Sequence, residues 1–205
     1  MLDQLIQRAA KTERGFTDIK RAAEEIVAQT SPAECLAIAH DLYKSDVHQA
    51  RMLAVFLLGY AAPASPQVLE FMREVVSHDP NWRVQEILAQ GFDMYCAAIG
   101  YELSLPLIQN WLNHPIANVR RAVTEGLRIW TRRPFFREHP EVAINLLSQQ
   151  KDQESDYLRK SAGNALRDIS RQHPDLVREE LKTWDISNKR IALVYKLASK
   201  FLEGD

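Results

Sequence analysis

One column of residues returns along this chain at the spacing of a helical hairpin. Five segments align on their apolar positions: Gln49-Ala-Arg-Met-Leu-Ala, Arg83-Val-Gln-Glu-Ile-Leu, Asn118-Val-Arg-Arg-Ala-Val, Tyr157-Leu-Arg-Lys-Ser-Ala and Asn188-Lys-Arg-Ile-Ala-Leu. The third place of each reads Arg51, Gln85, Arg120, Arg159 and Arg190, in steps of 34, 35, 39 and 31 residues. A unit of that length cannot bury its apolar face alone, so its neighbours must stack on it. The period therefore excludes most folds at once. It demands a run of paired helices sharing one continuous core.

The stretch Asn81–Asp93 shows the pattern most clearly. It follows His78-Asp79-Pro80, a helix stop, and Asn81 is a good N-cap. Val84, Leu88 and Phe92 recur every four residues, with Ile87 and Gly91 beside them. That is one buried stripe of a helix. Trp82, Glu86 and Asp93 lie off its centre. Similar patterns predict helices at about 2–14, 17–29, 32–44, 46–61, 66–77, 81–97, 101–113, 116–132, 139–150, 155–172, 174–183 and 187–203. No strand pattern is present. The expected fold is all-α, a right-handed solenoid of about six HEAT-like helical hairpins forming a single domain, 1–205. The usual Asp of the HEAT-type repeat also recurs, as Asp46, Asp79 and Asp156.

Composition narrows the class. Apolar residues make up 46% of the 205, enough for a core, and only seven are Gly. Cys35 and Cys96 carry no motif and read as buried thiols in a reducing compartment. The opening Met1-Leu2-Asp3-Gln4 lacks a basic and an apolar leader region, and no apolar run approaches the ~18 residues of a membrane span. The expectation is a cytoplasmic monomer with no membrane partner. Four turns place His beside Pro, at His78, His114, His139 and His173. They read as helix ends rather than metal ligands, because no ligand spacing accompanies them. No metal and no cofactor is expected. Trp111, Trp130 and Trp184 read as core.

A net charge of -1 hides a segregation. The second helices at 116–133, 155–171 and 187–203 hold 13 Lys and Arg against Glu125, Asp156, Asp168 and Glu203. The first helices of the last repeats are dominated by acids, among them Glu138, Glu141, Glu179 and Glu180. A basic groove suits a polyanion, since each neutralised phosphate releases counterions. Solvated faces and inter-repeat ladders account for the same charges, and both readings stay open.

At Trp82–Asp93, and at Leu158-Arg-Lys-Ser-Ala-Gly-Asn-Ala-Leu-Arg-Asp-Ile-Ser-Arg-Gln-His-Pro174, the chain resembles the AlkD/AlkC superfamily of HEAT-like DNA glycosylases. The likeness covers about 46 to 200 in repeat layout. In the AlkD pattern a Trp precedes a catalytic Asp by four residues, and Trp82 and Glu86 hold that spacing with Glu for Asp. An Arg of the next repeat completes that site, which implies Arg121, 35 residues beyond Glu86. Asn164 stands where the AlkD pattern has a second cleft Trp. The AlkC branch carries a similar Ser-x-x-Asn-x-Leu-x-Asp-Ile run, matched here from Ser161 to Ile169, and it too uses acids in its cleft. By that likeness Asp168, and Glu125 in Thr124-Glu125-Gly126, join the candidates.

The resemblance implies binding of duplex DNA and excision of purines alkylated at N3 or N7. The expected catalytic residues are Glu86, Trp82, Asp168 and Glu125. The expected phosphate contacts are Arg83, Arg120, Arg121, Arg159, Lys160 and Arg190. Each has an ordinary alternative. Trp82 can pack, Glu86 can pair with Arg83 or Arg121, and Asp168 can pair with Arg128 or Lys196. The alternative function is a HEAT-like module that binds DNA or a protein without chemistry.

Overall fold

A computed structural model describes residues 2–202, so Glu203, at the expected end of the last helix, lies outside the described residues. The all-α expectation stands: thirteen α-helices and no strand occur among the described residues. The chain forms two compact units, residues 1–99 and 100–205. No described helix is long and apolar enough to cross a membrane.

The first unit holds α1 (Leu2–Ala10), α2 (Thr17–Val27), α3 (Pro32–Tyr43), α4 (His48–Ala61), α5 (Pro66–Glu74) and α6 (Trp82–Ile99). Its centre is α4, which packs on α1, α2, α3, α5 and α6. Met52 through Gly59 of α4 are all buried, and a helix apolar on every side belongs in a core. Helices α4 and α6 touch through glycine. A Cβ added to Gly59 would lie 2.9 Å from the Cα of Gly91, so the backbone of α6 leaves no room for a side chain at Gly59.

Helix starts follow their sequence signals. Ser31 and Glu34 form a reciprocal capping box ahead of Pro32. Asn81 Oδ1 accepts from the Arg83 amide at 3.0 Å and starts α6. Ser155 and Asn188 cap two helices of the second unit in the same way.

The second unit holds α7 (Leu105–Leu112), α8 (Ala117–Gly126), α9 (Pro134–Glu138), α10 (Pro140–Ser148), α11 (Asp156–Ser170), α12 (Pro174–Lys182) and α13 (Lys189–Ala198). Here α11 is central and packs on α8, α10, α12 and α13. Gly163 lets α13 approach, since a Cβ there would meet Leu197 Cβ at 2.9 Å.

The helix expected at 116–132 breaks earlier. Helix α8 stops at Gly126, and Ile129 adopts φ 56, a left-handed conformation that a β-branched residue rarely takes. Two contacts hold the break. Arg133 donates to the carbonyls of Gly126 at 2.9 Å and Arg128 at 2.8 Å, replacing lost helical bonds. Trp130 turns inward and packs edge-on against Phe136 at 4.9 Å. The short α9 has no counterpart in the sequence reading, because five residues carry too little periodicity to register. Trp111, Trp130 and Trp184 are buried as expected, as are Cys35 and Cys96.

Candidate nucleic-acid interface

The repeated column has a common job. Four of its five members reach back to the turn that leads into their own helix. Arg51 Nη1 donates to the carbonyls of Ser45 at 2.8 Å and Asp46 at 3.2 Å. Gln85 Nε2 donates to Asp79 O at 2.7 Å. Arg120 Nη1 donates to His114 O at 2.6 Å and Pro115 O at 3.2 Å. Arg159 Nη1 donates to Gln153 O and to Glu154 O, the latter at 2.8 Å. The carbonyls lie six and five residues upstream for the three arginines and six for Gln85, so the column pins the turns before these helices. Arg190 is the exception, exposed and without an ion pair among the described residues.

This divides the expected phosphate contacts. Arg120 and Arg159 are committed to turns. Burial pushes the Arg120 guanidinium below its ordinary pKa, and the nearby Glu154 charge only partly offsets that. Arg159 retains 10% exposure at its side chain. Arg83, Arg121, Lys160 and Arg190 keep accessible charge. Lys160 Nζ lies 2.6 Å from the exposed Asp156 carboxylate. Lys160 draws the Asp156 carboxyl below its usual range.

In the first unit, Trp82 opens α6 and is 55% exposed, so it does not pack into the core. The Arg83 guanidinium lies 4.6 Å from the centre of its ring. Glu86 stands one turn further on, exposed, and makes no hydrogen bond or ion pair to other described residues of its unit. Val84, Ile87, Leu88 and Phe92 form the buried stripe beneath.

In the second unit, α8 and α11 meet in a seam of polar pairs. At the rim, the Arg121 guanidinium sits 4.4 Å from the Tyr157 ring centre. One turn deeper, Ser161 Oγ lies 2.6 Å from Glu125 Oε1 and 2.8 Å from Thr124 Oγ1. A further turn on, Arg128 reaches Asp168 at 3.6 Å and Glu125 at 3.8 Å. Arg167 also contacts Asp168, at 3.1 Å. Residues 121 and 125 share one face of α8, with Arg128 just beyond its end, and 157, 161, 164 and 168 share one face of α11. The seam thus unites the expected Arg121, Glu125 and Asp168, while Asp168 takes Arg128 as its partner.

Tyr157, Ser161 and Arg128 were absent from the expected site. Their signal was present: Tyr157 and Ser161 repeat the i, i+4 spacing of Arg121 and Glu125 on the paired helix.

The carboxylates and cations also keep apart at the pockets. A surface pocket of about 340 Å³ is lined by Glu141, Ile144, Asn145, Leu176, Glu179, Glu180 and Thr183. Three carboxylates with no Lys or Arg make it unsuited to phosphate. The seam is where cations, an aromatic ring and a fixed carboxylate occur together.

Comparison with known proteins places this arrangement. The model of the family described as DNA alkylation repair enzyme matches residues 15–200. The crystal structure of AlkD2 from Streptococcus mutans is 47% identical and superposes with a TM-score of 0.96, covering 99% of this chain and 98% of that one. The Pseudomonas fluorescens alkylpurine DNA glycosylase AlkC, bound to DNA containing an abasic site analog, is 22% identical with a TM-score of 0.53. That match covers 98% of this chain and 61% of AlkC, and it is a likeness of fold. Among curated proteins, an uncharacterised Bacillus subtilis (strain 168) protein, YhaZ, is 36% identical over 78 residues, 36% of this chain and 22% of that protein.

Proposed function

The chain belongs to the DNA alkylation repair enzyme family, and from that premise we propose that it binds duplex DNA and excises cationic N3- or N7-alkylated purines as a glycosylase. The observation that carries the proposal is Glu125, fixed by Ser161 one turn beneath the Arg121–Tyr157 pair. AlkC, which shares this fold, has been captured on DNA containing an abasic site analog. That state is the product side of the same chemistry.

The reaction needs little proton transfer. Alkylation at N3 or N7 leaves the base cationic and a good leaving group. As the N9–C1′ bond breaks, its electron pair goes to the base and positive charge develops on the sugar. A fixed carboxylate stabilises that charge, provided it is already in place when the bond breaks. Glu125 has that fixity, since Ser161 holds one oxygen and Arg128 flanks the other. A water then adds to C1′ and loses a proton to solvent or to the carboxylate. Arg121, Lys160 and Arg190 serve the phosphates. In the first unit Trp82, Arg83 and Glu86 offer an aromatic face, a cation and a second carboxylate.

One observation favours the alternative, a DNA-binding module without turnover. Glu86, at the spacing of the AlkD catalytic acid, is exposed and unsupported within its unit, so the water-excluded setting such a group requires is not built around it there.

Incubation with methylated duplex DNA, followed by detection of released base, tests the proposal. Release that Glu125→Gln abolishes while DNA binding persists supports it. Binding without release by the parent protein overturns glycosylase activity and leaves the binding module.

A further inference from the structure

Tyr157 is a ring in an unusual position. It occupies the first turn of α11 and is 58% exposed, whereas a tyrosine used for packing buries its ring. Its hydroxyl has no hydrogen bond among the described residues. The Arg121 guanidinium covers the ring at 4.4 Å and forms no ion pair with any described carboxylate. Two groups able to bind something are therefore held together by each other alone.

The same device recurs. Trp82 is 55% exposed beside Arg83, and Phe201 is 42% exposed with the Arg171 guanidinium 4.4 Å from its ring centre. An exposed aromatic ring with an arginine beside it suits a flat group attached to a phosphate. The Tyr157 pair lies one turn from the fixed Glu125 carboxylate, about 6 Å along the helix axis.

We propose that the Arg121–Tyr157 pair is a stacking site for a neutral, unpaired DNA base. The inference rests on the DNA-binding reading above. Base–aromatic stacking tolerates any sequence because every base has a π face. The positive Arg121 fixes the class of base more narrowly. A cationic alkylated purine on this ring would face a like charge, whereas a neutral base would not. The site therefore receives an ordinary base that has lost its pairing, such as the base opposite a displaced lesion, and the cationic base itself is left to the carboxylate.

Fluorescence anisotropy with two labelled duplexes tests this, one fully paired and one carrying a single unpaired adenine. The parent protein should bind the second about tenfold more tightly, within the range that loss of one stacked base produces. Tyr157→Leu should abolish that preference and change the affinity for paired duplex less than twofold. Tyr157→Phe should retain the preference, because the ring acts and the hydroxyl does not. Equal binding of both duplexes by the parent protein overturns the stacking site and leaves DNA binding intact. So does a preference that survives Tyr157→Leu, or an equal loss on both duplexes. Failure to bind either duplex at low salt overturns the DNA-binding reading itself.

Discussion

Ser161 Oγ bridges Glu125 Oε1 and Thr124 Oγ1, at 2.6 and 2.8 Å. A serine has one proton to give. The carboxylate is the stronger acceptor, so Ser161 donates to Glu125, while Thr124 gives its own proton to the Arg121 carbonyl. The glutamate is thereby aimed by a residue on the neighbouring helix rather than by its own.

Removing that aim should slow excision without weakening binding. A hydrogen bond to a charged group is worth about 1.5–3 kcal/mol, and about 1.4 kcal/mol is tenfold in rate. Ser161→Ala should lower kcat by roughly ten- to a hundredfold at unchanged KM for methylated DNA. Ser161→Thr, which keeps a hydroxyl, should recover part of the loss. A parallel fall in kcat and DNA affinity would show Ser161 to be a structural residue of the seam.

Asp79 joins three elements of the first unit. Its carboxylate accepts two bonds from Arg51 of α4, at 2.8 and 3.0 Å, and one from the Asn81 amide at 2.9 Å. The phenol of Tyr43 on α3 lies close enough to feel its charge. Burial, with the Asp79 charge second, pushes the Tyr43 phenol well above its ordinary pKa. The side chains of Arg51 and Asp79 are only 12% and 2% exposed. Asp79→Ala leaves a buried guanidinium unpaired, which costs about 3–5 kcal/mol. Urea denaturation should report a loss of that size. A change under about 1 kcal/mol would mean that the pair behaves as a surface ion pair.

Gly59 and Gly91 should differ in their tolerance of a methyl group. At Gly91 the new Cβ meets the flexible end of Met72, which can move. At Gly59 it meets the backbone of α6, which cannot move without shifting the helix. Alanine's better helix propensity, about 1 kcal/mol, partly offsets either clash. Gly59→Ala should therefore lower stability by about 1–3 kcal/mol, and Gly91→Ala by less. Thermal melts of the two variants decide the order.

The all-α fold was legible because a core stripe repeats whatever else the sequence carries. Asn81 marked its helix start through local chemistry, which needs no tertiary context. The break at Ile129 was not legible. It depends on Trp130 finding Phe136 and on Arg133 finding free carbonyls, and neither contact has a periodic signature. The column of arginines was visible as a pattern, but its purpose was not. A guanidinium that turns back five and six residues looks the same in sequence as one that faces solvent. At the seam, sequence supplied Arg121, Glu125 and Asp168 one at a time. Only the pairing of α8 with α11 joins them to Tyr157, Ser161 and Arg128.

Arg159 and Arg190 occupy the same column and should respond oppositely. Arg159 is spent on the carbonyls of Gln153 and Glu154, with Asp156 as a further partner at 3.2 Å. Arg159→Ala frees two part-buried carbonyls, each costing at most the roughly 1–3 kcal/mol of a fully buried unpaired group. It should lower thermal stability while leaving DNA affinity near normal at temperatures where the protein is folded. Arg190 is exposed and pins no turn, so Arg190→Glu should leave the melting temperature almost unchanged. If Arg190 sits on a phosphate, its reversal should weaken binding to every duplex alike. It should also reduce the slope of log affinity against log salt by about one, because one fewer counterion is released. Titrations of a paired duplex across a salt series, run beside melts of both variants, separate the roles. A large affinity loss for Arg159→Ala at intact stability would mean that its guanidinium leaves the turn to grip DNA. An unchanged salt slope for Arg190→Glu would remove Arg190 from the phosphate contacts.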